Sequence, residues 1–324
     1  MEERITKKHK TMKRLITLFI MALCVCTSFA QDSIERHTLH YATHEGEELM
    51  LDLYRTAKCD EAAPCMIFAF GGGFVGGDRA REYYIPYFET LARNGIVVAS
   101  IDYRLGLKNL GSDVDMRGMI VAMKRSVDIA VEDMYTATRY IIDHASELGI
   151  DTSKIMISGS SAGAITALQA EWGRTEDIEL AKILPEEFRY AGVVACAGAL
   201  FSTSGSPKFK EQPAPMLLFH GTSDSNVPYN KASFMGIGFY GSKYITKQLD
   251  KLKSPYHFYS VEYGDHSIAG TPLFEQTDLI LQFISDYVIH GRRLCIKSEV
   301  SNLDAERRPT HFTVKEYLST NYAN

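Results

Sequence analysis

The chain has 324 residues, with 35 Lys and Arg against 40 Asp and Glu, a net charge of -5, 45% hydrophobic and 23% charged residues. That composition is globular and excludes a disordered or fibrous chain, and a mean hydropathy of -0.13 leaves no room for several membrane spans. A net negative chain lacking a clustered cationic surface is not built to hold nucleic acid.

The first thirty residues stand apart. Six cations (Arg4, Lys7, Lys8, Lys10, Lys13, Arg14) precede an apolar run over residues 15–25, and Ser28 and Ala30 place small side chains at -3 and -1 before Gln31. This is the order of a secretory signal peptide, and the run is shorter than the ~20 apolar residues of a bilayer span. The expectation is a secreted or periplasmic chain cleaved after Ala30, with no membrane span left. Met12 offers an alternative start, and the bulky Leu23 and Val25 before Cys24 and Cys26 argue against lipidation. Cleavage leaves 29 cations and 38 anions, a net charge of -9, which repels polyanions. Of the remaining cysteines, Cys59 and Cys65 flank a short polar stretch, so a local disulfide and two free thiols both stay open. Cys196, in the run Val193-Val194-Ala195-Cys196, reads as a small buried hydrophobe.

In chain order, residues 48–54 alternate as a half-buried strand does, with Leu49, Leu51 and Leu53 on one side. Short apolar runs follow at 65–70, 96–101, 154–158, 190–196 and 216–219, then a β-rich run at 256–263. Helix-length segments lie at 82–93, 130–148, 162–172, 244–252 and 274–289, and Gly95 and Gly149 stand where helices end in a left-handed residue. Strands buried on both faces and alternating with helices specify an α/β fold, a mostly parallel sheet with helices on both faces. Its core runs over residues 31–295, and residues 296–324 form a polar extension.

Four signals sit at carboxyl ends of these strands, where open α/β sheets place their ligands. Gly159-Ser160-Ser161-Ala162-Gly163 follows one strand and opens a helix. In that setting G-x-S-x-G is a nucleophile elbow, with Ser161 exposed on a tight turn in front of a helix N-terminus. Phe70-Gly71-Gly72-Gly73-Phe74 follows another strand, and consecutive glycines let backbone amides approach a substrate oxygen. Gly71, Gly73 and Gly76 also satisfy G-x-G-x-x-G, but no helix opens there and the strand-ending acid, Asp102, lies too far on for a dinucleotide site. His220-Gly221-Thr222-Ser223-Asp224 supplies a carboxylate, and Tyr263-Gly264-Asp265-His266 supplies a histidine. Ser161, Asp224 and His266 come in the order of an α/β-hydrolase triad. Asp265 is a second candidate for the acid. His220 and Asp102 read as structural, and Met116, Met119 and Met123, at helical spacing, read as core.

These motifs, with Asp102-Tyr103-Arg104-Leu105 and the stretch 140–157 ahead of the elbow, make the chain resemble the carboxylesterase/lipase superfamily of α/β-hydrolases. The nearest groups are the hormone-sensitive-lipase-like and the small secreted feruloyl- or acetyl-esterase types. The likeness covers residues 48–289. It implies catalysis by Ser161, Asp224 and His266, an oxyanion hole from the amides of Gly72, Gly73 and Ala162, and no cofactor or metal. Its expected substrates are carboxylic esters, small or attached to polysaccharides. Phe70 stands where the family usually has a histidine that orders the glycine loop, which puts the rigidity of that loop in question. Residues 201–213 are too few for a large cap domain. A serine peptidase acting on short peptides and a non-catalytic binding protein on the same fold are the alternatives. No metal-ligand spacing is present.

Overall fold

A computed structural model describes residues 33–57, 62–111, 113–313 and 316–317. The expected signal segment and Cys59, with the disulfide it could make with Cys65, lie outside the described residues; Cys65 itself is buried.

The scaffold is a nine-stranded sheet. Strands β1 (Ile34–His44) and β2 (Glu47–Thr56) form an antiparallel hairpin. After β3 (Ala63–Ala69) comes β4 (Val97–Ile101), which pairs antiparallel with β2 and parallel with β3. From β3 outward, β5 (Ile150–Ser160), β6 (Gly192–Cys196), β8 (Met216–Gly221), β11 (Tyr256–Val261) and β12 (Cys295–Val300) add in parallel. All residues of β4, β6 and β8 are buried, which is why they appear in the sequence as unbroken apolar runs. A second, three-stranded antiparallel sheet joins β7 (Ala199–Ser202), β9 (Lys231–Phe234) and β10 (Ile237–Gly241) in the order β7-β10-β9.

Helix α1 (Ile85–Arg93) carries Pro in its first turn and is followed by Gly95 at φ 77°. Helix α2 (Met116–Asp143) begins well before the expected start near Ala130, because the Asp115 carboxylate caps it by accepting the Gly118 amide at 2.8 Å. The short α3 (Ala145–Leu148) stops at Gly149, φ 64°. Helices α4 (Ala162–Glu176) and α5 (Ser242–Leu252) match expected segments. The single helix expected over residues 274–289 is divided instead. It becomes α6 (Pro272–Glu275), α7 (Thr277–Phe283) and a π-helical stretch over Ile284–Ile289.

Two strands of the nine-stranded sheet escape sequence reading for the same reason. Only Tyr41 of β1 is buried, and β12 is an exposed edge, so neither shows an apolar period. Cys295–Val300 thus supplies the last strand of the sheet, where a polar extension was expected to begin.

Candidate active site

Between β5 and α4, Ser161 sits at φ 51°, ψ -115°, a strained conformation for a residue with a Cβ. Its amide donates to the Cys196 carbonyl at 2.9 Å, tying the turn to the end of β6. The flanking glycines are required by close approach. A Cβ on Gly159 would lie 2.2 Å from the Gly163 carbonyl carbon, and one on Gly163 would lie 2.0 Å from the Ala69 oxygen. A Cβ on Gly71 would press to 3.0 Å from the Ser160 oxygen, so the glycine loop after β3 lies directly against the serine turn.

The serine hydroxyl does not stand alone. Ser161 Oγ and His266 Nε2 are 2.8 Å apart, and His266 Nδ1 is 2.8 Å from Asp224 Oδ2. Nδ1 facing a carboxylate carries the proton, which leaves Nε2 as the acceptor for the serine O–H. The other oxygen of Asp224 accepts the Asn226 and Val227 amides, each at 2.9 Å. Burial alone would raise this carboxyl; hydrogen bonds from His220 and His266 outweigh it and hold Asp224 below the usual carboxylate range. The acid and histidine loops are also joined through their backbones. Ser223 donates to the Gly264 carbonyl at 2.9 Å, and a Cβ on Gly221 would lie 2.2 Å from that oxygen.

Asp265, the other candidate acid, faces away from this line. It caps the turn His266–Ala269 by accepting the Ser267 amide at 3.0 Å and pairs with Arg308. His220 is fully buried. Its Nε2 lies 3.1 Å from the Val227 carbonyl and 3.5 Å from Asp224 Oδ2, and its Nδ1 lies 2.8 Å from Ser242 Oγ. With only acceptors beside it, Nε2 carries the proton, and Ser242 donates to Nδ1. His220 is therefore structural, as expected, but it also props the acid.

Gly72 (φ 146°) and Gly73 (φ 63°) turn the loop beside Ser161, and both line one cavity together with Ala162. No helix follows the glycines until a turn at Glu82–Tyr84, which removes the dinucleotide reading. Loop rigidity comes from packing where the family usually has a histidine. The buried Phe70 ring stacks on Tyr103 at 4.5 Å, and Tyr103 donates its hydroxyl to the Phe70 carbonyl at 2.8 Å. Asp102 organises neighbouring strands, accepting from Arg79 at 2.7 Å and from the Met50 amide at 3.2 Å.

Ser161 and His266 open into a cavity of about 880 Å³ with a mainly apolar lining. Its walls include Ile165, Phe201 and Phe239. Met116, Ile120 and Met123 from the unexpected first turns of α2 line it too. The core assignment is corrected for Met116, which is 53% exposed at the cavity edge, whereas Met123 is a buried core residue that also lines the cavity. Sequence reading also missed Thr313 and Tyr317 on the wall. The signal was present, because Thr313-x-x-Glu316 is a capping box that starts a helical turn. Among the described residues, no group of three or more His, Cys, Asp or Glu is placed to hold a metal ion.

The BD-FAE family model matches residues 51–200, the part that carries the glycine loop and the serine turn. Esterase LipI of Mycobacterium tuberculosis is 32% identical over 117 residues, 36% of this chain and 31% of that protein. Fumonisin B1 esterase of Sphingopyxis macrogoltabida is 33% identical over 110 residues, 31% of this chain and 18% of that protein. The matched region thus spans less than a third of either relative. Esterase 2 of Thermogutta terrifontis, solved with propionate bound, superposes with a TM-score of 0.58 at 23% identity, covering 77% of this chain and 93% of that one. The chain has the α/β-hydrolase fold. Among the described residues, no helix is long and apolar enough to cross a membrane.

Proposed function

We propose that this α/β-hydrolase is a serine carboxylesterase that works through an acyl-enzyme. The observation that carries the reading is the hydrogen-bonded line Ser161–His266–Asp224 opening into an apolar cavity beside the glycine loop. Ser161 Oγ attacks the ester carbonyl carbon while His266 Nε2 takes its proton. The amides of Gly72, Gly73 and Ala162 hold the oxyanion, and His266 returns the proton to the departing alcohol. Water then repeats the sequence on the acyl-enzyme and releases the acid. Asp224, ionised and buried, fixes the His266 tautomer and stabilises its charged form.

The acyl group is the aromatic or medium-chain kind. A cavity of about 880 Å³ far exceeds an acetyl group, and its apolar lining favours buried carbon over a sugar. Of the acetyl and feruloyl esters the sequence brings to mind, feruloyl-sized groups fit better. Attachment to a polysaccharide and export behind a signal peptide belong to the same proposal.

Hydrolysis of p-nitrophenyl esters across acyl lengths, with Ser161→Ala as the control, tests this reading. The expected result is turnover that rises beyond acetate and vanishes in the variant. Turnover surviving in Ser161→Ala overturns the nucleophile. Silence toward every ester with cleavage of short peptides favours a peptidase, and silence toward both favours a binding protein.

A further inference from the structure

We propose that the segment beyond β12, through Tyr317, is a working part of the site: it walls the acyl cavity and positions the loop that carries Asp224. This rests on the esterase reading above and adds a specificity determinant to it. The path of the chain carries the inference. Val300 ends β12 by accepting the Glu262 amide at 2.8 Å, just ahead of the histidine loop. Arg308 then pairs with Asp265, next to His266, and its carbonyl accepts the Ser223 hydroxyl at 3.4 Å, next to Asp224. The segment is thereby fastened to both loops of the triad.

A local device then turns the chain inward. The Thr313 amide and hydroxyl donate to Glu316 Oε2 at 2.6 and 2.8 Å, and the Glu316 amide meets Thr313 Oγ1 at 3.2 Å. This reciprocal capping starts a helical turn and presents Tyr317, whose hydroxyl donates to the Asp224 carbonyl at 3.1 Å. The Phe312 ring packs edge-on against Tyr317 at 5.5 Å, and Thr313 and Tyr317 both face the cavity. Tyr317 is only 8% exposed, and burial pushes its phenol up, so it remains a donor across the working range. The ring and the hydroxyl therefore have separable tasks. The ring closes the apolar wall, and the hydroxyl makes Tyr317 a positioning residue for the acid.

The test compares the full chain with Tyr317→Phe, Tyr317→Ala and a chain ending at Val300, using p-nitrophenyl acetate through decanoate and a thermal melt of each protein. Losing the wall exposes the acyl chain to water. Tyr317→Ala and the shortened chain should therefore lose about tenfold in kcat/KM for decanoate relative to acetate, mostly through KM. Tyr317→Phe should keep the chain-length profile and lower kcat a few-fold for every ester. Unchanged profiles and unchanged kcat in all three variants overturn the proposal. If the shortened chain does not melt cooperatively, the two Tyr317 substitutions decide alone. If the full chain cleaves no ester, the esterase reading has failed, and the wall is judged by calorimetry with octanoate. Binding about tenfold weaker in Tyr317→Ala supports it, and equal binding overturns it.

Discussion

The two sides of the site are held by different physics. On the nucleophile side, backbone lies on backbone: Gly159, Gly163 and Gly71 bring β5, α4 and the loop after β3 so close that no side chain fits between them. On the acid side, Asp224 is held mainly by hydrogen bonds, from His266, from the Asn226 and Val227 amides, and at its carbonyl from Tyr317. Close backbone packing recurs there at Gly221 against Gly264 and at Gly241 against Pro228. The nucleophile side should therefore fail abruptly under small changes, and the acid side should yield by degrees.

The largest effect expected is on the triad. Ser161→Ala should lower kcat about 10⁶-fold with little change in melting temperature, whereas Asp224→Asn should cost about 10⁴-fold, read by steady-state kinetics on one ester. Next comes the backbone packing. Gly163→Ala puts a methyl 2.0 Å from the Ala69 oxygen and should destabilise the protein by roughly 4 kcal/mol or more in denaturant melts. Gly72 has φ 146°, and a Cβ there would lie 1.9 Å from the Gly76 oxygen. Gly72→Ala should lower kcat about 10²- to 10³-fold through lost oxyanion stabilisation. A tolerated Gly163→Ala with native activity would dissolve the contrast between the two sides.

A pH experiment sharpens the comparison away from the site. Glu171 on α4 is buried; one oxygen accepts the Ala214 amide at 2.6 Å and the other has no hydrogen-bond partner. Burial pushes its carboxyl from near 4.5 up to about 8. The folded chain holds this proton where the unfolded chain releases it. This group's contribution to stability is therefore full below pH 4.5 and declines as pH rises toward about 8. Glu171→Gln should flatten that decline, a difference of a few (~2–4) kcal/mol in melts at pH 5 and pH 8. An unchanged slope would place the proton elsewhere. The smallest effect is expected at the loop anchor, where Tyr103→Phe removes the bond to the Phe70 carbonyl and should cost ~1 kcal/mol.

The same contrast explains what the sequence made legible. The serine turn and the glycine loop are contiguous, and their glycines are required by contacts that a pentapeptide already encodes, so Gly71 to Gly73 and Gly159 to Gly163 could be read directly. Asp224 and His266 were legible from order and strand-end position, which already favoured Asp224 over Asp265; the hydrogen bond from His266 agrees with that choice. The cavity was not legible. Its walls come from the early turns of α2, from β7, β9 and β10, and from Thr313 and Tyr317, elements that are short, exposed or half-buried and meet only in the fold. Met116 looked like core because helical spacing marks an apolar face without saying whether protein or substrate covers it.

The central claim is that Ser161 becomes acylated with His266 as its base. Reacting the full chain with a fluorophosphonate and mapping the adduct by mass spectrometry tests it most directly. The account expects one adduct per chain, on Ser161, formed in step with loss of p-nitrophenyl ester turnover and absent from His266→Ala. An adduct on another residue, or full turnover in a chain fully labelled at Ser161, would contradict it.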